Sequence, residues 1–190
     1  INISYDFEDS EKGKQHAGEG RTITVEFDSF ILVACYVPNA GEGLKRLDYR
    51  VNEWEPHMRA YLKSLSERKA VVYTGDLNVG HLDLDIHNPS AKHIVKQAGL
   101  TPVERAAFGQ MLEESGLRDA FRHFYPDAKG QFTYWSQRLF HRPPNKGIRL
   151  DYFLCTTNMF PTTVTASESG VEGADHHTVE GVQVHDSFIV

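Results

Sequence analysis

Ile23, Val25 and Phe27 alternate with polar residues between Arg21 and Phe27, and after Asp28-Ser29 an unbroken apolar run extends from Phe30 to Val37. Alternation with period two marks a half-buried strand and a short continuous run a fully buried one, so the two predict a hairpin entering a central strand. Pro38-Asn39-Ala40-Gly41 ends it. Leu44, Leu47, Val51 and Trp54 then fall at helical spacing, and Met58, Tyr61, Leu62 and Leu65 carry the stripe onward, with Pro56 expected to kink or restart the helix. Ala70 to Thr74 is the next strand. Thr101-Pro102-Val103-Glu104 supplies a capping hydroxyl, an N-terminal proline and a glutamate, which announce a helix that Gly116 is placed to end. Beyond Tyr125-Pro126, the stretches QFTYWS and IRLDYFLC and the tail from Val182 to Val190 read as strands. Alternating strands and helices with some hairpins predict an α/β class: a mixed sheet covered by helices, in one domain over residues 1–190.

Composition narrows this picture slightly. A chain of 190 residues with 40% apolar content supports one substantial core. Its longest apolar run has strand length, too short to cross a bilayer, and the N-terminus lacks the basic-then-apolar pattern of a secretory signal. The expected setting is therefore intracellular, away from membranes: the nucleus in a eukaryote, the cytoplasm in a bacterium. A monomer is expected. The two cysteines, Cys35 and Cys155, each lie in a strand-like apolar run, which suits buried thiols rather than a disulfide framework. The formal net charge of −6 argues against a globally basic coat for nucleic acid. Between Ala128 and Leu150, however, Lys129, Arg138, Arg142, Lys146 and Arg149 occur with no acidic residue and interleave with Phe132, Tyr134, Trp135 and Phe140.

The strand Ala70 to Thr74 finishes in Gly75-Asp76-Leu77-Asn78, with Asp83 and Asp85 close behind, although a sheet interior disfavours such groups. Two other predicted strand ends carry similar chemistry, Asp151 in Arg149-Leu150-Asp151-Tyr152 and Asp175-His176 after Gly173-Ala174. Carboxylates with an amide and an imidazole at converging strand ends suit metal-assisted phosphoryl transfer. Singly, each motif is as readily a turn or a surface pair.

Together and in order, YVPNAG (Tyr36 to Gly41), GDLNV (Gly75 to Val79) followed by DIHNP (Asp85 to Pro89), RLDYF (Arg149 to Phe153) and GADH (Gly173 to His176) resemble the exonuclease III type of apurinic/apyrimidinic endonuclease. That family belongs to the endonuclease/exonuclease/phosphatase superfamily. The resemblance implies a DNase I-like two-sheet sandwich flanked by helices, Mg2+ (or Mn2+) as cofactor, and abasic-site double-stranded DNA as partner. The implied reaction is hydrolysis of the phosphodiester 5′ to an abasic site in base excision repair, with 3′-exonuclease or 3′-phosphodiesterase activity as further chemistry. It also implies roles. Asp76 orients or deprotonates the attacking water, Asn78 stabilises the transition state, Tyr36 approaches the scissile phosphate, and His176, held by Asp151, bonds a phosphate oxygen. Asp175, with Asp76, Asn78 and His176, forms the metal neighbourhood. Asn39, Arg46, Asn88 and Arg149 contact backbone phosphates or support residues that do; Tyr134, Trp135 and Leu150 wall the pocket for the flipped abasic sugar; Arg138 takes the groove-inserting position.

Four departures from the family pattern stand out. The family opens with strands bearing an asparagine and an aspartate and a helix bearing the main magnesium-binding glutamate. No such segment precedes Ile1, so the resemblance implies a chain truncated at the N-terminus by about a third of the domain, with apolar sheet surface left uncovered. Glu42 stands where some relatives insert arginine, and Ile148 where animal-type enzymes carry tryptophan. His177, Thr178 and Val179 replace the usual small residue, proline and aliphatic after His176. Two rival functions remain at this point: a phosphatase or nonspecific nuclease of the same superfamily, and a catalytically silent DNA-binding protein.

Overall fold

The structure is a computed structural model and describes residues 1–5, 7, 16, 18–161 and 182–189. Asp175 and His176, with the segment that resembles GADH, lie outside the described residues.

Six strands form one mixed sheet: β1 (Asn2–Tyr5), β2 (Thr22–Glu26), β3 (Phe30–Cys35), β4 (Ala70–Asp76), β8 (Asp151–Thr156) and β5 (Leu117–Asp119), in that spatial order. The β2–β3 hairpin is antiparallel, closed by Phe27 N–H donating to the Phe30 carbonyl at 2.9 Å. β3 and β4 run parallel, as a strand–helix–strand crossover requires, and β8 returns antiparallel beside β4. A two-stranded ribbon, β6 (Tyr134–Trp135) with β7 (Gly147–Ile148), lies outside the main sheet.

Period-two alternation divides the sheet into unlike faces. Ile31, Val33, Val71, Tyr73, Tyr152 and Leu154 all point to one side and are fully buried. Helix α1 (Glu55–Ser66) covers them with Met58, Tyr61, Leu62 and Leu65, and helix α2 (Pro102–Ser115) with Phe108 and Met111. On the other side Ile3, Tyr5, Ile23 and Phe153 keep 45–57% of their surface exposed. The apolar sheet surface expected to stand open is thus present on that face.

The helical stripe from Leu47 behaves as Pro56 dictates. A π-helical turn, Tyr49–Trp54, runs into α1, in which the proline occupies the first turn, where its missing N–H costs no hydrogen bond. Leu44 is not yet helical; it has φ +60° in a short 3₁₀ turn. The α2 boundaries match the sequence: Thr101 Oγ1 accepts from Glu104 N–H, the Glu104 carboxylate accepts in return, and Gly116 closes the helix in the left-handed conformation at φ +64°. Two strands differ from expectation. QFTYWS contributes only Tyr134–Trp135, and described residues 182–189 form no strand. That tail has Val184 N–H bonded to the Met159 carbonyl and Tyr125 Oη donating to Asp186, and gains no strand partner along its length. A strand is a property of a pair, so β-like composition without a partner yields none. The short segment Leu117–Asp119 does pair with β8.

Both cysteines are buried and free, and burial pushes each thiol up to about 11. Among the described residues no helix is long and apolar enough to cross a membrane.

Candidate active site

The site grows from the ends of β3, β4 and β8. Gly75, one residue before Asp76, has φ +130°, and a Cβ there would lie 2.0 Å from the Cys35 carbonyl oxygen, so only glycine lets β4 approach β3 this closely. Pairing continues to the strand end, where Val37 N–H donates to the Asp76 carbonyl at 3.0 Å. Across the sheet Asp76 stands directly opposite Asp151 in the β4/β8 register.

The turn after Asp76 folds back on that carboxylate. Asn78, at φ +50°, donates its backbone N–H to Asp76 Oδ1 at 3.0 Å. Its side chain is nearly buried: Nδ2 donates to the Val37 carbonyl (2.9 Å), and Oδ1 accepts from Asn39 Nδ2 (2.8 Å). Asn39 Oδ1 in turn accepts from Gly41 N–H. Asp76, Asn78 and Asn39 therefore form one hydrogen-bonded unit, and the YVPNAG and GDLNV motifs meet. Tyr36 projects beside them, half exposed, with the Arg21 guanidinium 5.1 Å from its ring centroid.

Burial pushes the Asp76 carboxyl above its ordinary range and the facing Asp151 adds to the rise, while Asn78 N–H and Arg50 oppose it. Arg50 is a site residue that the pattern reading did not isolate. Fully buried, it donates to three backbone carbonyls, Pro38 (3.1 Å), Leu77 (2.9 Å) and Asn78 (2.8 Å), and pairs with Glu55 at 3.4 Å. Its Nε faces Glu104 Oε1 at 3.5 Å, an ion pair without a hydrogen bond. One guanidinium thus pins both loops that carry the site polar groups. Its position at helical spacing from Leu47 and Trp54 was the available signal.

A cavity of about 860 Å3 opens beside the carboxylate pair, walled by Tyr134, Trp135 and Phe140, floored by Thr74 and Phe153, and bounded by Asp151 and tail residue Phe188. Asp151 belongs to both cavity wall and carboxylate pair and so joins them. Trp135 is fixed by Nε1 donating to Asn145 Oδ1 and by Arg142 stacked over its ring. Thr133 Oγ1 accepts from both Leu150 and Asp151 N–H, which fixes the entry to β8.

Several expected contact residues are engaged with protein groups or lie off the cavity lining. Arg149 is buried, not free for phosphate: its guanidinium bonds Asp85 and Asp119 and lies over the Tyr152 ring. It is a supporting residue, because a buried cation needs paired carboxylates more than a solvated phosphate. Leu150 does not line the cavity, and its carbonyl accepts from Leu77 N–H. Arg46 reaches Glu19 at 2.6 Å and stacks over Tyr49. Arg138 is exposed in the loop after β6, away from the cavity lining, and Asn88 is exposed in a turn where its side chain meets Ser90. Asp83 and Asp85, grouped with Asp76 by sequence, part company with it: Asp83 pairs with Arg105 at the surface and Asp85 with Arg122 and Arg149 inside. Among the described residues no group of three His, Cys, Asp or Glu side chains is placed to hold a metal ion.

Residues 6–176 match the model of the Endonuclease/Exonuclease/phosphatase family. The chain belongs to that family. Its curated relatives within the family include the DNA repair nuclease APEX1 of Danio rerio, 43% identical over 93% of this chain and 54% of the relative. An exodeoxyribonuclease of Bacillus subtilis is 41% identical over 88% of this chain and 65% of the relative. Among solved structures, an AP endonuclease of Leishmania major superposes with a TM-score of 0.68 at 36% identity, covering 74% of this chain and 47% of the other. The chain thus spans roughly half to two thirds of the length of these relatives. The fold is the DNase I-like α/β architecture that the sequence implied.

Proposed function

We propose that this family member hydrolyses the phosphodiester 5′ to an abasic site in double-stranded DNA, leaving a 3′-hydroxyl, with a divalent cation, magnesium or manganese, as cofactor. The observation that carries the reading is the Asp76–Asp151 pair at the edge of a cavity walled by Tyr134 and Trp135. Carboxylates facing each other are hard oxygen donors with unrelieved repulsion, and Arg50, which tempers Asp76, is already spent on carbonyls and glutamates. Such a donor set fits magnesium, which takes few protein ligands and keeps several waters. Asp76, facing Asp151, would hold it, with Asp175 in the metal neighbourhood that the resemblance implies, and a bound ion supplies charge neutralisation at the phosphate.

The chain's own residues supply the rest. Asp76, its basicity raised by burial, accepts the proton of the attacking water. Asn78 aims Asp76 through its backbone N–H and places an amide at the developing charge; Tyr36 donates toward the phosphate from the end of β3. Asp151 orients His176 toward a phosphate oxygen. Tyr134 and Trp135 enclose the extruded sugar, which an aromatic cavity of this size accommodates.

Competition between substrates tests the reading. The complete protein is expected to incise a duplex with one abasic site in preference to the same duplex intact, and Tyr134→Ala with Trp135→Ala to erase that preference. Equal cleavage of intact DNA, or efficient turnover of a free phosphomonoester, would favour the nonspecific nuclease or phosphatase alternatives.

A further inference from the structure

Tyr36 leaves the end of β3 with 52% of its surface exposed, and a side chain that open is free to change rotamer unless something holds its ring. The holding contacts come from Arg21, the residue before β2. Tyr36 N–H donates to the Arg21 carbonyl (2.9 Å), which carries the hairpin ladder one step past Cys35, and Arg21 Nη1 donates to the Tyr36 carbonyl (3.2 Å). The same guanidinium lies over the Tyr36 ring. A long cationic side chain needs fixing in its turn. Glu19 Oε2 accepts from Arg21 Nε at 2.6 Å, and Glu19 Oε1 accepts from Arg46 Nη2 at 2.6 Å. Gly20, between Glu19 and Arg21, has φ +61°, a left-handed turn that glycine adopts without strain. The Arg46 arm is anchored as well: its guanidinium stacks 4.9 Å from the Tyr49 ring centroid, and Tyr49 Oη shares a 2.8 Å hydrogen bond with Nδ1 of the buried His16. Burial pushes the Glu19 carboxyl up, but the two arginines outweigh it and hold it below 4.5, so the group is ionised at neutral pH.

We infer that Glu19 is a positioning residue: through Arg21 it fixes the ring of Tyr36, and with it the hydroxyl that donates toward the phosphate. The inference rests on the role proposed for Tyr36 in incision. Glu19 acts through Arg21 and needs no contact with the substrate. Its charge and shape both matter, because a carboxylate offers an oxygen to each guanidinium, whereas an amide has one acceptor oxygen and turns its NH2 group toward the other cation. Losing the fork misplaces a hydroxyl, and small misplacements of a group at the reacting centre are costly in rate. Removing an acid from beside two arginines does not weaken attraction for a polyanion. Rate and affinity should therefore part.

The test is a double-mutant cycle on the complete protein, read by single-turnover incision of a duplex carrying one abasic site and, with Asp76→Asn added to keep the duplex intact, by affinity for it. Glu19→Gln is expected to slow incision about tenfold while binding stays at least as tight as in the parent. Tyr36→Phe, which keeps the ring and loses the hydroxyl, should slow it about a hundredfold. In the Tyr36→Phe background Glu19→Gln should add no further loss, because the hydroxyl it positions is gone. Arg21→Lys, which keeps the charge and loses the flat guanidinium, is the second variant and should show the same loss and the same coupling to Tyr36→Phe. Thermal unfolding confines the comparison to temperatures at which every variant is folded. Additive effects of Glu19→Gln and Tyr36→Phe, or a Glu19→Gln loss that lies wholly in affinity, overturn the inference, since an effect through Arg46 or through general packing survives removal of the Tyr36 hydroxyl. Tyr36→Phe incising at the parental rate overturns the role proposed for Tyr36 and the inference with it, whereas additivity overturns the inference alone.

Discussion

Asp76 gains basicity from its burial and from Asp151 across the sheet, and both effects have measurable consequences at the level of a single side chain. The catalytic form is the carboxylate, so incision should decline as pH falls through its raised pKa, at a higher pH than an ordinary aspartate at 3.8 would give. Stability has the opposite sign. Above 3.8 the unfolded chain has released the proton that the folded one still holds, so this residue lowers stability as pH rises until the folded carboxyl ionises. Asp76→Asn keeps the acceptor for Asn78 N–H and removes that penalty; it should raise Tm at pH 7, as read by thermal unfolding. A lower Tm would show the charge to be well solvated. Asp76, Asn78, Asn39 and Tyr36 were legible in sequence because short motifs at strand ends carry them. For Arg149 the motif left two roles open, phosphate contact or support, because a motif fixes which residue is present and not which way it points; its bonds to Asp85 and Asp119 are those of a support.

At the scale of elements, legibility followed the range of the interactions. The start and stop of α2 are local chemistry and were readable from Thr101, Glu104 and Gly116. Thr101→Ala should cost about 1 kcal/mol in chemical denaturation, since its hydroxyl satisfies the Glu104 N–H at the helix start. The strand expected over Val182 to Val190 is absent from described residues 182–189 because pairing is tertiary. Arg50 is tertiary too. Within its segment it is one more charged residue on a helical stripe; only the fold brings the carbonyls of Pro38, Leu77 and Asn78 to it. Arg50→Met should destabilise by about 3–5 kcal/mol, because Glu55 and Glu104 stay buried without their cation. Loss of incision at temperatures where that variant is still folded would show that the clamp also positions the site.

In the molecule as a whole, the interior ties the site to the ribbon through Asp85, Arg149, Asp119 and Arg122. Burial pushes the Asp85 carboxyl up, but the arginines outweigh it and hold it below 3.8, so the stability it contributes is present above that pH and is lost as pH falls through the lowered value. Asp85→Asn should therefore flatten the acid limb of the stability profile and lower stability at pH 7. The same comparison explains what sequence reading missed: GDLNVGHLDLDIHNP is one cluster of oxygens along the chain, and in space it is a site carboxylate, a surface pair and a structural anchor. Ile23 and Phe153 stand on the open sheet face because alternation in β2 and β8 turns them away from the helices. Across all three scales the account turns on Asp76 as the group that activates water. Single-turnover incision of an abasic duplex by the complete protein measures this directly. The expected result is scission 5′ to the abasic site, falling about 10²- to 10⁴-fold in a folded Asp76→Asn variant; incision at the parental rate by that variant would contradict it.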